Sequence, residues 1–448
     1  MEKPVYELTC GQEVVNLQGA LSMHKNVYNI MATLTLDDKV DFELLKKAFN
    51  KVVERNDCLR LKFFKQKGKL VQIFEDERVY NNIPVLTFET EEAQEAFLAK
   101  ETKKVTPFKK GSVIDPFFIN TFDNKSLIVL RVSHLALDVY GINIIYKDLL
   151  DVYNAMKDGT ELPAAPTSFE EMMKADLKKK HDENYNKKNE EYFRNYFSSK
   201  ENPYYAGVHG ESNPIWQKQL KKGRHAMKLF LFANKTQGYA HMIDKNLTTK
   251  VMEYCQQVKQ TPANLLFFVA SVTASKMNGN VKNMLPMELC NCRGTVATKK
   301  GAGTKAQSVL CYTSLEHDQA FDANFENFCN SQNELYRHVG FSDMEIQKML
   351  HEYYKSSFLE IYYGIAYSFI PMMMPKGSHF MVRSNGHGAL PCYIAQLWRV
   401  EEGDIVMAYD CQSKIINEQD CATFHNNYLK VLSAVLENPK VVLNDIKL

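Results

Sequence analysis

The chain has 448 residues. With about 150 residues per domain as a prior it holds two or three domains, or one domain with a duplicated core, which excludes a peptide hormone or a single small module. Hydrophobic residues make up 45% and charged residues 24%, and 55 Lys and Arg against 53 Asp and Glu leave a net charge of +2. That balance excludes disorder as the default, and it predicts neither a broad nucleic-acid footprint nor attraction to an anionic membrane; a charged partner is met by a local patch.

Residues 29–36 are rich in strand formers, and Asp41 then caps a helix whose apolar Leu45, Phe49, Val52 and Val53 fall on one face. Short strands over 60–64 and 70–74, joined around Lys67-Gly68, complete a strand, helix, hairpin unit. Residues 127–132 read as a buried strand running into Ser133-His134. A helix beginning near Val139 carries Ile142, Ile145, Leu149, Val152 and Met156 on one stripe. The polar loop between them lies at the C-terminal end of a strand, a favoured place for sites in α/β layers. Residues 170–200 are charged and interrupted by Tyr185, Tyr192, Phe193, Tyr196 and Phe197, which predicts a long solvated helical connector. The boundary between halves is placed here, with an N-terminal lobe over 1–175 and a C-terminal lobe over 176–448.

The second half repeats the pattern of the first. A strand at 240–243 precedes a helix with Leu247, Val251, Tyr254 and Val258 on one side, and Thr261-Pro262 starts another helix that Asn278-Gly279 ends. Strand-like runs follow at 307–315 and 361–370, and Ser342 with Glu345 forms a capping-box pattern. A strand at 405–409 precedes a helix carrying Phe424, Tyr428, Val431 and Val435. Two α/β halves of similar content predict a pseudo-dimer with a cleft between its lobes.

None of the 10 cysteines forms a CxxC pair, so structural zinc is not expected and the thiols read as small core residues. The start MEKPVYELTCGQE has no apolar signal region, which predicts a reduced, cytoplasmic setting. The longest apolar stretch, 265–270, is far too short to span a bilayer, so a soluble protein is expected.

His134 has the distinctive context, with Asp138 four residues later and Gly141 soon after. A strand-end histidine is either catalytic or a structural hydrogen-bonded one, and Asp138 in that place also fits a simple N-cap. Gly301-Ala302-Gly303-Thr304-Lys305 lacks the GxxxxGK[ST] spacing of a phosphate loop and reads as a mobile surface loop. Lys299, Lys300 and Lys305 are candidates to meet a phosphate, with solvated lysines as the alternative.

Residues 6–74, with Gln12 in TCGQEVVNL and the run ERNDCLRLKF, resemble the opening of the condensation domains of nonribosomal peptide synthetases. SHLALDVYG, from Ser133 to Gly141, is similar to their HHxxxDG signature and to the HxxxD motif of the wider acyltransferase superfamily that includes chloramphenicol acetyltransferase. Arg293 in ELCNCRG matches the arginine that pairs with the motif aspartate, and the tail from 405 to 448 reads like the end of such a domain. The resemblance covers the whole chain. It implies an α/β fold of two chloramphenicol-acetyltransferase-like lobes in a V-shaped pseudo-dimer with a central cleft.

The resemblance further implies His134 as the catalytic residue and Asp138 with Arg293 as structural support, with Ser133, Val139 and Gly141 in the motif loop. Ser133 stands in place of the first histidine, Val139 where glycine is usual, and SVLCYTSLE departs from the family's GFFVNTLPLR with Cys311 at the asparagine position. The implied activity is a free-standing condensation-type acyltransferase that forms an amide from an acyl thioester and an amine acceptor, small-molecule or carrier-bound. The donor sits on the phosphopantetheine arm of an acyl or peptidyl carrier protein in trans, or on coenzyme A, with no permanently bound cofactor and no metal. The alternatives are an ester-forming or coenzyme A-dependent acyltransferase of the superfamily and a catalytically silent carrier-binding scaffold.

Overall fold

The computed structural model describes residues 3–106, 111–210, 223, 225–229, 235–372, 374–388 and 390–448. It divides into two compact units, one made of Met1–Asp182, Asn291–Ala306 and Met372–His387, the other of Glu183–Cys290, Gln307–Pro371 and Gly388–Leu448. The units are therefore not two contiguous stretches of sequence. Two segments from the second half of the chain belong to the first unit.

The first unit is built on strands β1 (Asn29–Leu36), β4 (Val85–Thr87), β5 (Ile114–Asn120) and β6 (Ser126–Ser133), with the hairpin β2 (Leu61–Gln66) and β3 (Lys69–Phe74) as a separate sheet. Its main sheet has the order Ser378–Arg383, β1, β6, β5, β4. Only β4 and β5 run parallel; the register of β1 on β6 goes from Asn29 opposite Ser133 to Leu36 opposite Ser126. All eight residues of β6 are buried, which is why SLIVLRVS reads as a continuous apolar run rather than an alternation. Its one charge, Arg131, is met by Glu101 at 2.7 Å and Asp115 at 3.0 Å. The hairpin turns on Lys67 and Gly68, with φ of 50° and 81°, the left-handed pair that a two-residue turn requires.

Among the helices that accompany these strands are α1 (Cys10–Leu21), α2 (Phe42–Arg55), α3 (Glu91–Glu101), α4 (Val139–Asp158) and α5 (Phe169–Lys180). Asp41 caps α2 by accepting from Glu43 N at 2.8 Å and Leu44 N at 3.1 Å, and Leu45, Phe49, Val52 and Val53 are its buried face. On α4 the stripe Ile142, Ile145, Leu149 and Val152 is buried, and Gly159 ends the helix at φ 66°. The expected long connector is instead two helices, α5 and Glu183–Ser198, broken at His181-Asp182, where one unit gives way to the other. Phe193, Tyr196 and Phe197 of the second helix are buried in the core of the second unit, so they are packing residues.

In the second unit a six-stranded sheet has the order Gln307–Leu310, Met287–Cys290, Ala366–Met372, Cys392–Arg399, Asp404–Gln412, Thr236–Ile243. Beside it lies the largely apolar helix Pro262–Met277, capped by Thr261 with proline in its first turn, as read from sequence. The run at 307–315 is broken after Leu310, resuming only at Thr313–Ser314. Ser342 stands at the N-cap position, but its hydroxyl makes no capping bond. The next residue, Asp343, turns its carboxylate to Ser308, accepting from N at 3.0 Å and Oγ at 2.5 Å. None of the ten cysteines is in a disulfide, and eight of them are buried. Among the described residues no cluster could hold a metal ion, and no helix is long and apolar enough to cross a membrane.

Candidate active site

The loop from Ser133 to Asp138 leaves β6 and enters α4. Ser133 closes the strand by donating its N–H to Val113 O at 2.7 Å, and its carbonyl accepts from Ala136 N and Leu137 N at 2.9 and 3.1 Å, which turns the chain tightly. His134 sits in this turn, partly exposed, with Nδ1 buried and without a partner among the described residues. Burial lowers the pKa of the imidazole below its ordinary value of 6.5, and its own backbone and then the nearby charge of Asp138 oppose that only in part. A neutral ring near pH 7 follows, the form able to accept a proton.

Asp138 is the N-cap of α4, accepting from Gly141 N at 2.7 Å through Oδ1. Its carboxylate also takes a bidentate bond from Arg293, at 2.9 Å to Oδ2 and 3.2 Å to Oδ1, and backbone N–H bonds from Lys305 at 2.9 Å and Ala306 at 3.1 Å. Burial pushes the carboxyl up, but the Arg293 charge and these hydrogen bonds outweigh it and hold Asp138 below the usual carboxylate range. With both oxygens engaged in this way, Asp138 makes no bond to His134. The arrangement differs from a Ser-His-Asp triad, where the carboxylate orients the imidazole.

Arg293 is as fully used as its partner. Its remaining donors go to carbonyls of its own loop: Nε to Gly301 at 3.3 Å, Nη1 to Asn291 at 3.1 Å and Nη2 to Gly303 at 2.8 Å, so all five N–H groups of the guanidinium are paired. The side chains of Arg293 and Asp138 are 0% and 4% exposed, and the guanidinium lies 4.7 Å from the Tyr140 ring centroid. Paired and hydrogen-bonded to this extent, the buried charges are compensated.

The segment 291–306 was expected to contain a mobile surface loop at 301–305; it is instead buried there and docked. A Cβ on Gly141 would stand 2.9 Å from the backbone of Gly303, one on Gly303 would collide with Phe169, and one on Gly301 with Met172. The small residues are a close approach of backbone to α4 and α5 rather than a flexible tether. Lys305 is buried and its Nζ pairs with Asp176, which removes it as a phosphate ligand, while Lys299 and Lys300 are exposed.

The structure thus brings together Ser133, His134, Asp138, Val139, Gly141 and Arg293 within one unit. Val139 is the first residue of α4 and is half-buried. Sequence reasoning did not find Thr304, whose Oγ1 donates to His134 O at 2.6 Å, nor the two backbone donors at 305 and 306. The Gly-Ala-Gly run just before them was the available signal. In the second unit Cys311 is buried, with Sγ 4.0 Å from Glu288 Oε2, an oxygen that also accepts from Tyr336 at 2.5 Å and Gln332 at 2.8 Å.

A condensation-domain family model matches residues 2–350. One plipastatin synthase protein of Bacillus subtilis (strain 168) is 18% identical over 452 residues, spanning 100% of this chain and 17% of that protein. Tyrocidine synthase 2 of Brevibacillus parabrevis is 28% identical over 161 residues, 35% of this chain and 4% of that protein, so the chain spans a small part of these relatives. Among solved structures, the first condensation domain of the calcium-dependent antibiotic synthetase, in complex with a substrate analogue, matches with a TM-score of 0.79 at 13% identity, covering 99% of both chains. The starter condensation domain of rhizomide synthetase, in complex with C8-CoA, matches at 0.81 and 13% identity over 99% of this chain and 97% of that one. The condensation domain of Monacolin K polyketide synthase matches at 0.81 and 14% identity, over 98% and 99%. The likeness gives this chain their two-lobed chloramphenicol-acetyltransferase-like fold. With the family model covering most of its length, the chain belongs to the condensation-domain family, acyltransferases that form amide bonds in nonribosomal peptide synthesis.

Proposed function

We propose that this chain moves an acyl group from a thioester on the phosphopantetheine arm of an acyl or peptidyl carrier protein to an amine, either a small molecule or one held on a second carrier. His134 is the catalytic residue, Asp138 and Arg293 support it, and Ser133, Val139 and Gly141 shape the loop. The N–C bond forms as the C–S bond breaks; the proton leaves the attacking nitrogen for His134 and ends on the departing thiolate. The thioester is already activated, so positioning the two reactants supplies up to about 7–11 kcal/mol, and general-base help adds about 10² to 10⁴-fold.

The observation that carries this reading is a partly exposed imidazole, held neutral by its surroundings, beside a carboxylate committed entirely to Arg293 and backbone. A reducing, cytoplasmic setting belongs to the same reading. A second reading, transfer from coenzyme A itself, is favoured by the rhizomide starter domain, which was solved with C8-CoA. A competition assay tests both. One acyl group is presented on a separate carrier and on coenzyme A, with an amine and an alcohol acceptor together. Amide formed from the carrier-bound donor supports the first reading, whereas ester product or exclusive use of coenzyme A replaces it.

A further inference from the structure

The His134 ring has no side chain to orient it among the described residues. Nδ1 has no partner from another residue there, and Asp138 is occupied elsewhere. What is fixed instead is the backbone on either side. The peptide plane before His134 is held by its N–H donating to Tyr28 O at 2.6 Å, and the plane after it by Thr304 Oγ1 donating to His134 O at 2.6 Å. The next plane is held by Gln12 Nε2, which donates to Leu135 O at 2.8 Å.

Gln12 is itself locked. Its amide exchanges bonds with that of Gln72, at 2.9 Å from Gln12 Nε2 and 2.7 Å from Gln72 Nε2, and its Oε1 also accepts the Thr9 N–H at 3.0 Å. Gln12 and Gln72 are 0% exposed and Thr304 is 1%. Burying amides and a hydroxyl is costly unless their bonds are made, and a fully satisfied network of this kind rigidifies what it touches.

We propose that Thr304 and Gln12 are positioning residues that set the orientation of the His134 ring through the two carbonyls that follow it. The contacts hold whatever His134 does; their importance for turnover rests on the reading of His134 as the working base. Displacing a reacting group by about 1 Å can cost 10²-fold in rate, so the loss falls on kcat and leaves KM unchanged.

The test uses the full chain labelled with ¹⁵N-histidine, the His134 ring resonance being identified by its absence in His134→Ala. Thr304→Val removes the hydroxyl at nearly constant shape, Thr304→Ser keeps it, and Gln12→Met removes the amide. Expected is one sharp His134 signal in the unaltered protein and in Thr304→Ser, and a split or broadened one in Thr304→Val and in Gln12→Met. With the donor and the amine acceptor that the competition assay shows to be used, kcat falls about 10- to 100-fold in Thr304→Val at unchanged KM. A single, unshifted His134 signal in Thr304→Val, or a Thr304→Ser protein that behaves like Thr304→Val, overturns the proposal; if Gln12→Met does not fold, the two Thr304 variants decide it. Undiminished turnover in His134→Ala would instead remove the reading of His134 as base, and the ring signals would still judge the clamp.

Discussion

Replacing Arg293 with alanine is the sharpest perturbation of the site, because it strips a buried carboxylate of its guanidinium partner. Asp138 would keep its bonds from the N–H groups of Gly141, Lys305 and Ala306, but lose the bidentate pair, and the carbonyls of Asn291, Gly301 and Gly303 would lose their donor. Breaking one side of a buried ion pair costs about 3–5 kcal/mol. The sign of the pH dependence follows from the shifts. In the unaltered protein the folded carboxyl lies below its ordinary value of 3.8, so the pair stabilises above that pH and the benefit fades as pH falls. Without Arg293, burial, the largest influence, raises the carboxyl, and the folded state loses stability as pH rises from the same point. The deficit is therefore already present near pH 4, where the native pair is ionised, and grows toward pH 7 as the unpartnered carboxyl is forced to ionise. Urea denaturation at both pH values measures it, and Asp138→Asn added to Arg293→Ala should restore part of the loss by removing the orphaned charge. An Arg293→Ala protein as stable as the original at pH 7 but without turnover would refute the structural assignment and place Arg293 in the chemistry.

Other outcomes follow from the same geometry. Asp343 is buried and raised from 3.8 to about 6, so its penalty appears as pH climbs through that window; Asp343→Asn should gain up to about 3 kcal/mol over the original at pH 8 and nothing at pH 4, and an equal difference at both pH values would contradict the cause assigned. Gly141→Ala places a methyl group 2.9 Å from the Gly303 backbone and should cost about 1–3 kcal/mol with loss of turnover, read by thermal unfolding and rate together; an unchanged melting temperature would show that the loop yields. The pH profile of kcat/KM should fall on the acid side with a midpoint under 6.5, because burial lowers His134; a midpoint above that value would point to a different base.

What could be read in the sequence was local. Asp41 and Thr261 announce their helices through capping chemistry that acts over three residues, and β6 with the stripe of α4 frames the motif loop by periodicity alone. What could not be read was non-local pairing. Ala32 on β1 lies opposite Val382, and no periodicity in either segment says that they meet. The same holds for 301–305. A run of glycine and alanine has the composition of a flexible loop, and only the neighbours Phe169, Met172 and Gly141 reveal that the small residues permit close packing. Thr304 went unseen for that reason. Ser342 and Glu345 mark the helix start, but Asp343 between them turns its carboxylate to a strand instead of the helix.

Everything proposed for the site turns on His134 carrying acyl transfer. Intact-protein mass spectrometry of an acyl-loaded carrier protein and an amine acceptor, with the unaltered chain or with His134→Ala, tests it directly. Loss of the acyl mass from the carrier is expected only with the unaltered chain, while the two proteins melt alike. Equal transfer by His134→Ala would contradict it, and carrier binding without transfer by either protein would make the chain a scaffold.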